Sequence, residues 1–443
     1  MSSLVFPRDF VWGVATSSFQ IEGATTEGGR GASIWDTFCA TPGKIIDGTD
    51  GTVVCDHYHR YKEDVAIMAD LGLDAYRFSI AWPRVQPAGS GAWNEEGFKF
   101  YENLLDELDA KGLKAHVTLY HWDLPQALQD LGGWGNRETA YRFAEYAAEV
   151  GRRFGNRVAS IATHNEPWCT AYLGNFHGRF APGFTDIALA NQVSHHLLLS
   201  HGLGIKALRE LGISAQLGIV LNQSDADPAT DSAADKRQAQ LEYENFTGWF
   251  MDPIFKGHYP PLALEVYGDA APKVEPGDFE IIGQKIDFLG VNYYFRAWCS
   301  TQNPPIEPPR ALGITDMGWE IYPKGLTDLL VRINREYPNL PPILITENGM
   351  ANPDRVEDGA VHDPQRSQFL QQHLSALKDA MDQGVDVRGY FEWSLLDNFE
   401  WDSGLSKRFG IVHVDYDTQK RTLKDSAHWY REFVSQQKRG NHG

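Results

Sequence analysis

Two short segments share a grammar suited to acid–base chemistry. Thr163-His164-Asn165-Glu166-Pro167 and Ile345-Thr346-Glu347-Asn348-Gly349 each set a glutamate just past an apolar run, next to an asparagine and ahead of a residue that ends a strand. Hydrolysis of an acetal needs one group to protonate the departing oxygen and another to stabilise or attack the anomeric carbon, and a pair of carboxyls can do both. A lone strand-end glutamate is ordinarily held in a structural ion pair. Here the asparagines supply amides that match sugar hydroxyls, and Pro167 offers no amide after Glu166, so both segments read as arranged for a polyol.

The elements that must position these carboxyls form a repeating pattern. Runs rich in β-branched, aromatic or small residues at 10–15, 75–79, 115–119, 160–163, 216–221, 287–291, 343–346 and 387–393 read as eight strands. Helix-like stretches lie between them, such as 58–71, with Asp56 to cap its start and Gly72 its end, and 95–110, stopped by Gly112. Strand and helix alternating eight times predict an α/β fold, a closed parallel (β/α)8 barrel. In such a barrel the C-terminal strand ends converge on one mouth. They would bring there Gln20 and Glu22, Arg77, His121, Asn165 and Glu166, Asn222, Asn292 and Tyr294, Glu347 and Asn348, and Trp393 with Glu400 and Trp401.

Composition bounds the alternatives. With 42% hydrophobic and 22% charged residues, the 443-residue chain has ample core material, and without repeats or low-complexity linkers it reads as one domain over 1–443. The Pro-rich 303–310 piece reads as a surface loop. A formal charge of −19 repels phosphate backbones and anionic bilayers, so neither nucleic acid nor membrane is an expected partner. The N-terminus reaches Arg8 and Asp9 before any apolar run of signal length, and Cys39, Cys55, Cys169 and Cys299 form no C-x-x-C pair. Both features predict an unsecreted chain in a reduced cytoplasm.

Several separated motifs together resemble glycoside hydrolase family 1, the β-glucosidase family, over nearly the whole length. They are F-V-W-G-V-A-T-S-S-F-Q-I-E-G-A from Phe10, Y-R-F-S-I-A-W-P-R from Tyr76, H-W-D-L-P from His121, N-E-P, T-E-N-G, and W-S-L-L-D-N-F-E-W from Trp393. The resemblance implies a retaining mechanism, with Glu347 as nucleophile and Glu166 as acid/base. It assigns Gln20, His121, Asn165, Glu400 and Trp401 to hydroxyls of the nonreducing sugar, Trp393 to its apolar face, and Asn292, Tyr294 and Arg77 to the setting of Glu347. Trp168, Leu173, His177, Asn222 and Trp319 resemble the family's variable aglycone wall. The substrate implied is a β-glucoside or a short β-linked gluco-oligosaccharide, with β-galactosidase or β-fucosidase side activity. No metal or organic cofactor is expected, because carboxyls and water suffice.

Phosphorylated-sugar hydrolases of the family replace the Glu-Trp pair after the eighth strand by a phosphate-gripping loop. Glu400 and Trp401 stand intact here, so free sugars are favoured despite nearby Ser406 and Lys407. Both glutamates are present, which argues against a sugar-binding barrel with vestigial catalysis. Glu392 stands where the family has an uncharged residue; strand parity turns it toward the helix layer and predicts an ion pair there. In Asp402-Ser403-Gly404-Leu405 a leucine replaces the usual aromatic. His57, His59, His195, His196 and His201 lack a ligand spacing and read as helix and core histidines. Cys169, close to Glu166, reads as a small buried residue rather than a nucleophile, and Tyr141 and Phe143 as packing residues.

Overall fold

The computed structural model describes residues 4–440, so the extreme ends of the predicted domain and of the N-terminal leader reading lie outside the described residues. Eight strands close a barrel: β1 (Val11–Ala15), β2 (Ala75–Ser79), β3 (Lys114–Tyr120), β4 (Ser160–Asn165), β5 (Gln216–Asn222), β6 (Phe288–Asn292), β7 (Ile343–Asn348) and β8 (Val387–Trp393). Their order round the barrel is β1-β8-β7-β6-β5-β4-β3-β2, and every neighbouring pair is parallel. Each strand matches an expected run; β3, β4, β5, β6 and β7 extend past it, to Tyr120, Asn165, Asn222, Asn292 and Asn348.

The strands are buried on both faces because helices cover the outside while side chains fill the inside. Alternation separates the two layers. On β8, Tyr390 joins the strand–helix core with Tyr76, Leu374 and Tyr430, whereas Phe391 and Trp393 join Ala15, Ala75, Ala162, Val220, Phe288 and Leu344 within the barrel. The inner layer is tight at its base. A methyl on Gly13 would sit 2.5 Å from the Phe391 ring and 2.8 Å from the Ala75 carbonyl, so no side chain fits there.

The helix Glu95–Ala110 forms as expected, and Gly112 beyond it adopts φ +71°. The preceding helix is His57–Asp70, and its Asp56 is a correction: the residue stands at the N-cap but its side chain caps no amide. Its carboxylate instead accepts from His59 Nδ1 at 2.6 Å and Arg60 Nε at 3.2 Å. Tyr141 is also corrected. Phe143 is fully buried, but Tyr141 is 41% exposed on the outer face of the helix Glu138–Phe154. Residues 303–310 form a loop without regular structure, as read from their prolines.

Glu392 does face the helix layer, but the ion pair predicted for it is absent. Both carboxyl oxygens are buried without a hydrogen-bond partner among the described residues. The nearby cations are already engaged: Arg366 holds Asp354 and Asp363, and Lys424 holds Asp354 and Asp397. Burial therefore pushes the Glu392 carboxyl well above its usual range and keeps it neutral.

The loops at the C-terminal mouth carry two small ribbons. Ala226–Pro228 pairs with Ala297–Cys299, and Val412–Val414 pairs with Arg421–Leu423. They stiffen the segments after β5, β6 and β8, which frame the site.

Candidate active site

Strand alternation alone would send only every second strand-end residue into the mouth. The register slips between Ala162 and Asn165 on β4, and between Val291 and Asn292 where β6 meets β7, and these irregularities re-aim the ends inward. Glu166 then leaves β4 with φ +48°, a left-handed conformation rare for a residue with a Cβ, before a helical turn that begins at Pro167. Trp122 and Trp401 share that unusual region, with φ +82° and +45°. Three of the nine non-glycine residues with positive φ among the described residues thus border this cavity, and such backbone strain is common at functional sites.

The two carboxyls face one another through a shared amide. Asn292 Nδ2 donates to Glu166 Oε1 at 2.7 Å, while its Oδ1 accepts from Thr346, the residue before Glu347. Glu347 Oε1 accepts from Arg77 Nη1 at 2.9 Å and its Oε2 from the Tyr294 hydroxyl at 2.7 Å. The other guanidinium nitrogen of Arg77 reaches Asn165 Oδ1 at 2.7 Å, tying β2, β4 and β7 together. Gly349 lets β7 approach β8 closely: a Cβ there would fall 1.7 Å from the Trp393 carbonyl oxygen.

The partners set the charges apart. Glu166 is bonded by an amide and by the Cys169 thiol at 3.2 Å, and by no cation. Burial, and then the negative charge of Glu347, push its pKa up to about 8. Burial raises Glu347 too, but Arg77 is the largest influence opposing the rise and the Tyr294 bond adds to it. Glu347 therefore loses its proton first and Glu166 keeps its own. Burial and the neighbouring carboxylate also raise the Cys169 thiol well above its ordinary value, so it is no thiolate, in line with the sequence reading.

These groups open onto a cavity of about 400 Å³. His121, Asn292, Tyr294, Trp393, Glu400 and Trp401 line it beside the two glutamates. Asn165 Nδ2 donates to His121 Nε2 at 3.1 Å, which makes Nε2 the acceptor and puts the proton on Nδ1. That Nδ1 is buried and has no protein partner, and burial keeps the ring neutral, so it is a ready donor. The rings of Trp393 and Trp401 lie nearly parallel to His121, each with its centroid 5.9 Å away. Glu400 has no ion pair among the described residues, and burial followed by the charge of Glu347 raises its carboxyl pKa.

Not every expected residue reaches the cavity. Gln20 is fully buried behind Glu400, donating to Asn398 Oδ1 and the Phe399 carbonyl and accepting from Ser17. Asn165 is likewise buried, its oxygen shared by Arg77 and Asn292. Of the expected aglycone wall, Trp168, Leu173, Asn222 and Trp319 line the cavity, but His177 lies outside it, exposed beside Phe176. The lining also includes Trp122, Phe246, Gln223 and Glu242, which sequence reasoning did not single out.

Ser406 and Lys407 point elsewhere: the serine bonds the Ser403 carbonyl at 2.6 Å and the lysine the Asp316 carbonyl at 2.7 Å. Leu405 is absent from the lining and packs against the outer core, while Asp402 lines the mouth and pairs with Arg179 at 3.0 Å. The histidines are structural. His57 holds Asp64, His195 bridges Tyr259 and Asp278, His196 bonds the Trp134 carbonyl and His201 bonds Thr163; His59 is exposed between Asp56 and Glu27. No group of three or more metal-ligating side chains is found among the described residues.

Comparison with known proteins agrees with this fold. Residues 2–439 match the family described as glycosyl hydrolase family 1. The chain is 46% identical to beta-glucosidase A of Acetivibrio thermocellus, over 98% of this chain and 99% of the relative. It is 43% identical to a bifunctional beta-D-glucosidase/beta-D-fucosidase of Bifidobacterium breve, over 98% and 99% of the two chains. Among solved structures it is similar to the Thermotoga maritima beta-glucosidase in complex with glucoimidazole, with a TM-score of 0.95, 46% identity, and 98% and 99% coverage.

Proposed function

The chain belongs to glycosyl hydrolase family 1, and from that premise we propose that it is a retaining β-glucosidase, removing terminal nonreducing glucosyl residues from unphosphorylated β-glucosides. The observation that carries this reading is the unequal treatment of two facing carboxyls, a cation and a phenol on Glu347 against an amide and a thiol on Glu166.

Glu347, ionised, attacks the anomeric carbon as the bond to the leaving oxygen breaks and Glu166 delivers its proton to that oxygen. Esterification removes the charge of Glu347, and with it a main cause of the raised pKa of Glu166. Glu166 is then a better base. It takes a proton from water as the water oxygen attacks the same carbon and releases Glu347, so the two inversions give retention.

His121, Glu400 and Trp401 receive the hydroxyls of the sugar and Trp393 its apolar face. Asn292 and Tyr294 hold the carboxyls. Gln20 and Asn165 join by exchanging an internal partner for a hydroxyl when sugar binds. Trp168, Leu173, Asn222 and Trp319 face the leaving group. Short β-linked gluco-oligosaccharides such as cellobiose fit the same subsites, and galactosides and fucosides are side substrates, a reading supported by the bifunctional relative. Glu400, with the carboxyls of Glu347, Asp402 and Glu166 around it, opposes a 6-phosphate. Four free cysteines, three of them buried, support a reducing, cytoplasmic setting; no helix among the described residues is long and apolar enough to cross a membrane.

A panel of aryl β-glucoside, its 6-phosphate, and the galactoside and fucoside tests this. Turnover is expected on the unphosphorylated glucoside, with lower rates on the galactoside and the fucoside. Activity confined to the phosphate, or binding without turnover, would overturn the proposal.

A further inference from the structure

The leaving-group side of the cavity contains polar groups that neither mechanism nor folding uses. Gln223, directly after β5, is 2% exposed and lines the cavity, yet neither its Oε1 nor its Nε2 has a hydrogen-bond partner among the described residues. An unpartnered buried amide is unfavourable unless something completes it. Glu242 lines the same side, at the end of the helix Ala233–Tyr243, and among the described residues no hydrogen bond or cation within ion-pair range engages its carboxyl. The chain then widens into a π-type turn over Glu244–Gly248, which brings Phe246 into the lining with Glu242. The Phe246 and Trp168 rings meet with centroids 4.7 Å apart. An apolar face thus stands beside an amide with free donors and acceptor and a carboxyl with free acceptors, the combination that a pyranose ring satisfies with its CH face and hydroxyls.

Resting on the β-glucosidase reading, we infer that Glu242 and Gln223 form a leaving-group subsite for a neutral sugar ring, which stacks on the Trp168–Phe246 face, and that Glu242 rejects anionic leaving groups. Arg179, the nearby cation in the lining, is held by Asp402 and does not offset that rejection. The selectivity arises because a site built to hydrogen-bond hydroxyls discriminates against ligands that leave its polar groups unpaired.

The test compares Glu242→Ala, Glu242→Gln and Gln223→Ala with the wild type on cellobiose, cellotriose, 4-nitrophenyl β-glucoside and 4-carboxyphenyl β-glucoside. Each variant-to-wild-type ratio of kcat/KM is taken within one substrate, so leaving-group electronics cancel. Glu242→Ala and Gln223→Ala should each lower the ratio on the oligosaccharides about tenfold further than on the nitrophenyl glucoside, chiefly through KM. Both Glu242 variants should raise the ratio on the carboxyphenyl glucoside. Equal losses on all four substrates, or an unchanged oligosaccharide ratio, would overturn the inference while leaving the glucosidase reading intact. A wild-type protein that turns over no β-glucoside would overturn both. Circular dichroism and melting curves matching the wild type keep a folding defect from imitating either result.

Discussion

At the scale of residues, the two glutamates are separable by chemistry. Glu347→Gly should lose turnover by several orders of magnitude and regain it with azide, which attacks the vacated face to give an α-configured product. Glu166→Ala should still form the covalent intermediate from an activated aryl glucoside but not from an alkyl one, and azide should there give the β product. Product anomers read by NMR check both. Activity needs Glu347 charged and Glu166 protonated, so it should fall on the basic side as pH rises through about 8 and on the acidic side as Glu347 takes up a proton. Stability has a related dependence. The folded-state pKa of Glu166 lies above its unfolded value, so its contribution is full below about 4.5 and is lost as pH rises through about 8. Glu166→Gln should therefore raise the melting temperature relative to wild type more at pH 8 than at pH 4.5; an equal shift at both would contradict the assignment. Glu400→Ala should lower kcat/KM on aryl glucosides about a hundredfold with folding intact, its hydroxyl contacts tightening as the ring flattens. The types and order of these side chains were legible in the sequence because each follows an apolar strand. The internal partners of Gln20, namely Ser17, Asn398 and Phe399, were not, since two of them lie far along the chain.

At the scale of elements, the strands were legible because each is buried on both faces and reads as an apolar run. What the runs do not encode is register. The slips on β4 and β7 that turn Asn165 and Glu347 inward depend on neighbouring strands, not on local composition. The same limit explains Glu392: parity gives its direction, but whether a cation awaits it depends on Asp354, Asp363 and Asp397, brought in from other segments. His177, expected in the wall, lies outside the cavity and Glu242, which no motif marked, lies in its lining for a related reason, because loop and π-type turn geometry decide which side chains face it. The charge network under β8 anchors the loop that carries Glu400 and Trp401. Asp397 accepts from Lys424 at 2.7 Å, Arg408 at 2.6 Å and the Gly410 amide at 3.0 Å. Asp397→Ala leaves two cations short of a partner and should destabilise by about 3–5 kcal/mol, measured by denaturant unfolding. A change below about 1 kcal/mol would show that the network is solvent-screened.

At the scale of the molecule, closure of the barrel joins strands distant in sequence, β1 with β8 above all, so no part of the described sheet is complete without both ends of the chain. We propose that the chain is one folding unit, and calorimetry should give a single transition coincident with loss of activity. The formal charge of −19 acts on charged ligands, so kcat/KM for a neutral glucoside should be nearly independent of ionic strength. The mechanism uses only carboxyls and water, so exhaustive chelation should leave activity unchanged; loss restored by one divalent ion would contradict it. The proposed roles meet in the stereochemical outcome, because a nucleophile at the end of β7 with an acid/base at the end of β4, as proposed for Glu347 and Glu166, would require two successive inversions at one carbon. Proton NMR of the wild-type reaction, followed before mutarotation, measures that outcome directly. The account predicts β-glucose as the first-formed sugar, and α-glucose appearing first would mean single displacement, with the roles given to Glu166 and Glu347 both wrong.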